Sequence, residues 1–132
     1  MTDNLGQFDA VIRDWTEAAQ QDLKLAFQEI TFEVFTRVVL RSPVDTGRFR
    51  GSWVIDLNSR SDAIPDNIVA GGVAISLGRE TIDASNIGDT INIFNNQPYS
   101  VALEFGHSIR QAPQGMVRVT LAEIDQIVSE VT

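Results

Sequence analysis

The chain contains no cysteine in its 132 residues and only one histidine, His107. The missing thiols exclude disulfides, a thiolate nucleophile and cysteine-ligated zinc or iron–sulfur sites. One histidine among scattered carboxylates is too small a ligand set for zinc, and no strained G-x-S-x-G turn presents a serine beside it. We therefore expect no metal and no cofactor. The length predicts one domain, residues 1–132, that buries a core without such support.

Long apolar runs and an excess of basic residues are also missing. No stretch approaches the roughly 20 apolar residues of a membrane span, and the amino terminus lacks the basic start and apolar run of a secretory signal. Ten basic residues against 18 acidic ones give a formal net charge of −8. That balance argues against specific binding of nucleic acid or anionic lipid, which depends on cations facing phosphates. We expect a product of the cytoplasm with no membrane partner.

Apolar side chains that recur every three or four residues predict one long helix from about Gln7 to Leu40, ended by Pro43. Such a helix spans about 50 Å, which exceeds the width of a small domain. We therefore expect another subunit to cover part of its apolar surface. The main stripe contains Phe8, Ile12, Trp15, Ala19, Leu23, Ala26, Ile30, Val34 and Val38, and a second stripe contains Leu25, Phe32, Phe35 and Val39.

Beyond Pro43 the apolar period changes from three or four residues to two, which predicts strands. The expected strands lie around 49–57, 69–77 and 90–94, with a bulge or close backbone approach at residues 71–72 and a long loop over 78–89. Pro98 opens a short helix, and Pro113 introduces a C-terminal helix. The predicted class is α+β, with a small antiparallel sheet of three to four strands. The predicted buried stripe of the last helix is Val117, Leu121, Ile124, Val128 and Val131.

Residues 45–47 spell Asp-Thr-Gly, the tripeptide that carries the catalytic carboxylate of aspartic proteases. A retroviral-type enzyme would pair Asp45 from two subunits, whose carboxyl groups would share a proton. Here Pro43 and Val44 precede the tripeptide, and the cationic Arg48 follows it and would hold the carboxylate ionised. The pattern favours a turn in which Asp45 bonds to its own backbone. The protease stays open as an alternative.

Glu104 lies in a mostly apolar stretch, where a buried carboxylate needs a partner. Arg48 or Arg50 is the predicted partner, because both lie in the first of two blocks that are dense in residues with special backbone demands, residues 42–53, whereas Glu104 lies in the second, residues 99–106. We also expect Trp53 and Tyr99 to join the sheet to the helices.

The two blocks, residues 42–53 and 99–106, are followed by a third motif over residues 111–118. In this order they resemble the tail-completion proteins of tailed bacteriophages, the group related to the lambdoid minor tail protein Z and the siphophage head–tail joining proteins. The resemblance covers nearly the whole chain and is weakest over residues 58–90. Gly115 stands where such proteins often carry an aromatic residue. The residues that carry the resemblance are Pro43, Asp45, Thr46, Gly47, Arg48, Ser52, Trp53, Tyr99, Glu104, Phe105, Gly106, Pro113 and Arg118.

The resemblance implies a non-enzymatic virion protein of the neck or tail, assembled in the host cytoplasm. It implies a homo-oligomeric ring of six copies at the head-proximal end of the tail. The implied partners are the tail tube or tail terminator protein on one side and the head connector or stopper protein on the other. DNA would pass through the ring without specific binding. A tail terminator or a connector stopper belongs to the same structural class and remains an alternative.

Overall fold

The computed structural model describes residues 3–43, 48–62, 70–98, 100, 104 and 115–132. These residues form an α+β fold with a long N-terminal helix, an antiparallel sheet and C-terminal helices, as the sequence predicts. The core lies where the second half of the first helix meets the third helix, the sheet and the C-terminal helices. In chain order the elements are α1 (Asp3–Leu40), α2 (Arg48–Gly51), β1 (Val54–Leu57), α3 (Gly71–Asp83), β2 (Ile91–Phe94), α4 (Val117–Ala122) and α5 (Ile124–Val131).

Helix α1 has 38 residues and confirms the predicted long helix, beginning a turn earlier than expected. Its carboxyl end is closed by side chains. The Ser42 hydroxyl donates to the carbonyl oxygen of Val38 at 2.9 Å, and the Arg50 guanidinium donates to the carbonyl oxygens of Leu40 and Ser42. These bonds satisfy carbonyl groups that a helix end leaves without intrahelical partners.

The two halves of α1 have different surroundings. Every residue from 4 to 23 is exposed, whereas Phe35, Val38 and Val39 in the second half are almost fully buried. The first half therefore projects beyond the core by about 30 Å. The predicted main stripe is consequently buried only near its carboxyl end.

Strands β1 and β2 pair antiparallel, with Val54 opposite Phe94 and Leu57 opposite Ile91. The next residue, Asn58, has φ 61°. Its side-chain amide oxygen accepts from the Thr90 backbone N–H, and its own backbone N–H donates to the Thr90 carbonyl oxygen, so these two bonds end the strand pair. Two strands are what the described residues show, so a sheet of three to four strands is not confirmed. The first predicted strand also begins later than expected, because residues 48–51 form the helical turn α2.

The predicted strand over 69–77 is wrong in its described part, and the predicted loop over 78–89 is wrong up to residue 83, because residues 71–83 form helix α3. Residues 84–89 carry neither helix nor strand, as predicted. Its buried side consists of Ala74, Gly78 and Ile82, spaced by one turn. A Cβ built on Gly78 would lie 2.5 Å from the ring of Phe35, so α3 crosses α1 very closely at this point. The two glycines predicted to form a bulge or a close backbone approach lie in the first turn of this helix, where a Cβ on Gly71 would lie 2.7 Å from the Arg50 side chain and a Cβ on Gly72 would meet nothing within 4 Å.

The C-terminal helix is confirmed but divides into α4 and α5 at Glu123 (φ −98°, ψ 7°). Its predicted buried stripe is wrong. Leu121 is 54% exposed and Val128 is 38% exposed, while the buried positions are Met116, Thr120 and Ile127. Buried Thr120 is tolerated because its hydroxyl donates to the Met116 carbonyl oxygen at 2.7 Å.

Ion pairs hold α5 against the carboxyl end of α1. Arg37 donates to Glu33, Glu123 and Glu130 at 2.8–3.1 Å, and Arg41 contacts Glu123 at 2.6 Å. The pairs are partly exposed, so each contributes modestly, but together they fix the position of α5 on one side of α1.

Candidate functional site

The described residues of the two dense blocks meet in one place beneath the end of α1, which we call the motif junction. It joins the turn after α1, the start of β1, the segment after β2 and the start of α4. The residues of the motif junction are Ser42, Phe49, Arg50, Ser52, Trp53, Asn95, Gln97, Ser100, Glu104, Met116, Val117 and Arg118.

Trp53 occupies the centre of the junction and is 7% exposed. Its indole N–H donates to the Ser42 hydroxyl at 2.7 Å, and that hydroxyl donates onward to the Val38 carbonyl oxygen. The rings of Trp53 and Phe49 pack edge to face, with centroids 5.8 Å apart. This geometry satisfies the one polar atom of the indole while burying its apolar body. Trp53 thus connects the residue before β1 to the end of α1.

Buried amide side chains connect the first block to the segment after β2. The Asn95 amide donates to the Phe49 carbonyl oxygen at 2.8 Å, and the Gln97 amide donates to the Ser52 hydroxyl at 2.9 Å. The Ser100 hydroxyl lies within hydrogen-bond distance of the carbonyl oxygens of Asn95 and Gln97. Neither amide was predicted from the sequence to take part in the site. Their signal was a run of amide residues directly after a strand and before a proline, a pattern typical of turns that bond to backbone.

Glu104 caps the start of α4. One of its carboxylate oxygens accepts from the backbone N–H groups of Met116 and Val117 at 2.9 and 2.8 Å, and the other accepts from the backbone N–H of Arg118 at 3.0 Å. The cap residue of α4, Met116, has no capping side-chain bond of its own. A carboxylate from elsewhere in the chain thus satisfies free N–H groups and opposes the positive end of the helix dipole.

The Arg118 guanidinium also contacts Glu104, donating to its carboxylate at 3.1 Å and to its backbone carbonyl oxygen. The predicted pairing of Glu104 with Arg50 is wrong, because the Arg50 guanidinium binds carbonyl oxygens at the end of α1. The side chain of Arg48, the other predicted partner, lies outside the described residues.

The surroundings of Glu104 shift its acidity. Partial burial raises the pKa of the carboxyl group, but hydrogen bonds from the N–H groups of Val117, Arg118 and Met116, together with the Arg118 side chain, lower it by more. The net result is a pKa below its ordinary value of 4.5. The carboxylate is therefore ionised and fully used in structural bonds at neutral pH.

Gly115 allows Glu104 to approach α4. It has φ 88°, which favours glycine, and a Cβ at this position would meet the Glu104 carbonyl oxygen and lie 2.5 Å from its carboxylate. The departure from an aromatic residue at position 115 thus has a local physical reason: any side chain would displace the cap.

A cavity of about 190 Å³ lies inside the junction, between the Phe49–Trp53 pair and the start of α4. Its lining is apolar except for Asn95, Ser100 and Glu104, whose polar atoms are already bonded. Among the described lining residues, Glu104 is the one ionisable group. The arrangement holds backbone segments together and presents no nucleophile beside a base within the part of the chain that is described.

Several predicted site residues lie outside the described residues, so their predicted roles remain predictions. These are Asp45, Thr46, Gly47, Tyr99, Phe105, Gly106 and Pro113. Of Arg48 only the backbone is described, in the first turn of α2. Pro43 is buried after the end of α1.

Across the described residues, no cluster of three histidine, cysteine, aspartate or glutamate side chains has the arrangement of a metal site. No described helix combines the length and the apolarity that crossing a membrane requires. In comparisons with known proteins, no protein-family model, no curated protein and no solved structure matches this chain.

Proposed function

We propose that the protein is a non-enzymatic, homo-oligomeric component of the neck or tail of a tailed-phage virion. In this role it forms a ring of six copies at the head-proximal end of the tail, between tail tube or tail terminator and head connector or stopper. The observation that carries the proposal is the exposed first half of α1, where Phe8 is 61% exposed and Trp15 is 69% exposed. Apolar surface of this kind marks a site of contact with another protein molecule.

The motif junction supports the same role. Glu104 and Arg118 both belong to the residues that carry the phage-protein resemblance, and their side chains contact each other directly. Ser52 accepts a hydrogen bond from the Gln97 side chain, and Trp53 donates one to the Ser42 hydroxyl. These bonds favour a scaffold that holds loops in fixed positions, which suits a component that must present defined surfaces to several partners.

The net charge of −8 fits a ring through which DNA passes. Acidic side chains repel phosphates and give no grip on the DNA backbone. Such a lumen would let DNA move while the protein contacts only its protein neighbours.

The direct test is deletion of the gene in the virus that encodes the chain, with complementation from a plasmid. We expect filled heads and separate tails in the deletion, seen by electron microscopy, and joined particles on complementation with the wild type or with the exposed-surface variant Gln20→Glu. Normal virions from the deletion would refute the role. The position of the density in joined particles separates tail completion from a terminator or stopper.

A further inference from the structure

The exposed half of α1 carries an apolar stripe with the spacing of a helix–helix seam. The residues of this α1 stripe are Leu5, Phe8, Ile12, Trp15 and Ala19, separated alternately by three and four residues. Leu5, Phe8, Ile12 and Trp15 are 74%, 61%, 42% and 69% exposed, respectively. Alternating steps of three and four residues bring side chains onto one line along a helix and are typical of two helices packed side by side.

The α1 stripe points away from the protein's own core. Phe35 follows Phe8 by roughly seven and a half helical turns, and Val39 follows Ile12 by the same interval. The buried Phe35 and Val39 therefore lie on the opposite side of α1 from Phe8 and Ile12. The core that covers Phe35 and Val39 cannot also cover Phe8 and Ile12 on a straight helix.

An uncovered helix of this composition has little stability of its own. Isolated helices in water are marginal unless an apolar face is packed, and this half of α1 includes Gly6 and the β-branched Val11 and Ile12. The large apolar side chains on and beside the stripe expose on the order of 700 Å² per molecule, taking about 150–250 Å² for a fully exposed aromatic residue. A pair of molecules would bury roughly 1,000 Å² or more, the size that stable interfaces need.

We infer that the α1 stripe is covered by the α1 stripe of a second copy of this chain, with the two helices antiparallel. In this pair the register of the two helices brings Ile12 beside Trp15 of the partner subunit. The same register places Phe8 over Ala19 of the partner subunit. The large Phe8 then faces the small Ala19, as two interlocking helices require, while Ile12 and Trp15 lie side by side.

The position of α5 selects the antiparallel direction. Arg37 follows Phe8 by about eight turns and so lies on the same side of α1 as the stripe. On that side Arg37 binds Glu123 and Glu130, so α5 occupies the line of the stripe at the carboxyl end of α1. Parallel helices in contact along their stripes would drive the two copies of α5 into each other. Antiparallel helices place each core beyond the other's free amino end.

Charge points to the same direction. Asp22 is the next position of the seam, three residues after Ala19. In a parallel pair the two copies of Asp22 would face each other, which is unfavourable. In the antiparallel pair Asp22 lies near Leu5 of the partner subunit, in the first turns of a helix, where the dipole favours a carboxylate.

The pairing rests on the self-association contained in the proposed function and names the surface that mediates it. An antiparallel pair has twofold symmetry and closes on itself, so it is the form of the free protein before copies enter a ring. The two ideas fail separately. Normal virions after gene deletion would remove the virion role and leave the pairing, whereas a monomeric free protein would remove the pairing and leave the virion role.

The mass of the purified protein tests the pairing. Light scattering and sedimentation should give twice 14.6 kDa for the wild type. Trp15→Glu should raise the dissociation constant by about 100-fold or more, because it places a charge in an apolar seam. Gln20→Glu adds the same charge to α1 away from the stripe and should leave the mass unchanged. A monomeric wild type, or a Trp15→Glu variant that keeps the wild-type mass, would overturn the inference.

Two further measurements check that the variant is folded and that the two helices are antiparallel. The chain has two tryptophans, so in Trp15→Glu the emission of buried Trp53 reports whether the core is intact. If that emission changes, Ile12→Glu repeats the test one turn away. For direction, a spin label on Asn4→Cys should give a distance of roughly 30 Å between copies in the antiparallel pair and under about 20 Å in a parallel one. The shorter distance would overturn the antiparallel arrangement.

Discussion

At the scale of single residues, Glu104 is the side chain on which the motif junction depends. Its carboxylate replaces the missing cap of α4 and binds three backbone N–H groups at once. The sequence predicted that this carboxylate would need a partner, since its neighbours along the chain are apolar. It could not predict which one, because the choice depends on how the chain folds back to bring α4 beside residue 104.

Glu104→Gln should lower the free energy of unfolding by about 1–3 kcal/mol at pH 7, because an amide cannot accept at both oxygen positions. The folded-state pKa of Glu104 is depressed, so its stabilisation is fully present above pH 4.5 and disappears as pH falls through the lower folded value. Urea unfolding followed by Trp53 emission, at pH 7 and in steps below pH 4.5, measures both effects. Exposed Glu80→Gln is the matched control. An equal loss at acidic and neutral pH would contradict the charge-based explanation.

Gly115→Ala should destabilise the protein by more than about 1 kcal/mol, because a Cβ meets Glu104 and the residue has positive φ. Gly88→Ala separates these two causes. Gly88 also has positive φ, at 96°, but a Cβ there meets nothing within 4 Å. Thermal unfolding of both variants therefore isolates the cost of displacing the cap. Equal melting temperatures would mean that the contact with Glu104 adds nothing.

At the scale of elements, α3 explains both a failure and a success of sequence reasoning. Two of the three residues on its buried side, Ala74 and Gly78, are small, while its larger Val73 and Leu77 are 46% and 56% exposed. The apolar pattern therefore followed the exposed side and imitated a strand. Helix α1 was predictable because apolar side chains recur with a helical period along its whole length, whether exposed like Phe8 or buried like Phe35, and strand β2 was predictable because its apolar residues alternate with a polar one. The last helix was predicted on the wrong side because polar Thr120 is buried through bonds to Met116 and Arg41.

The close crossing of α3 and α1 predicts opposite effects for two glycines of one helix. Gly72→Ala should be neutral or stabilising by up to about 1 kcal/mol, since alanine favours helix and nothing lies within 4 Å. Gly78→Ala should be destabilising in spite of the same gain, because its Cβ would lie 2.5 Å from the Phe35 ring. Urea unfolding of both variants gives the comparison. A stabilised Gly78→Ala would show that the two helices can move apart at little cost.

At the scale of the whole molecule, the apolar stripe favours association of two copies, whereas the net negative charge opposes it. Each copy carries a net charge of −8, so two copies repel at long range, while the seam between them is apolar. Salt screens repulsion over distances beyond about 10 Å at 0.1 M.

Raising sodium chloride from about 0.05 to 0.5 M should therefore tighten self-association severalfold. Sedimentation equilibrium at fixed pH measures the change, and Trp15→Glu serves as the control that lacks the intact seam. Weaker association at high salt would show that ion pairs, and not the apolar stripe, hold the copies together.

The projecting half of α1 also affects how the molecule moves through a solvent. A rod about 30 Å long attached to a small body experiences more friction than a sphere of equal mass. On a gel-filtration column the monomer would therefore elute ahead of spherical standards of 14.6 kDa and could be mistaken for an oligomer. Diffusion measured together with absolute molar mass distinguishes a long particle from a heavy one.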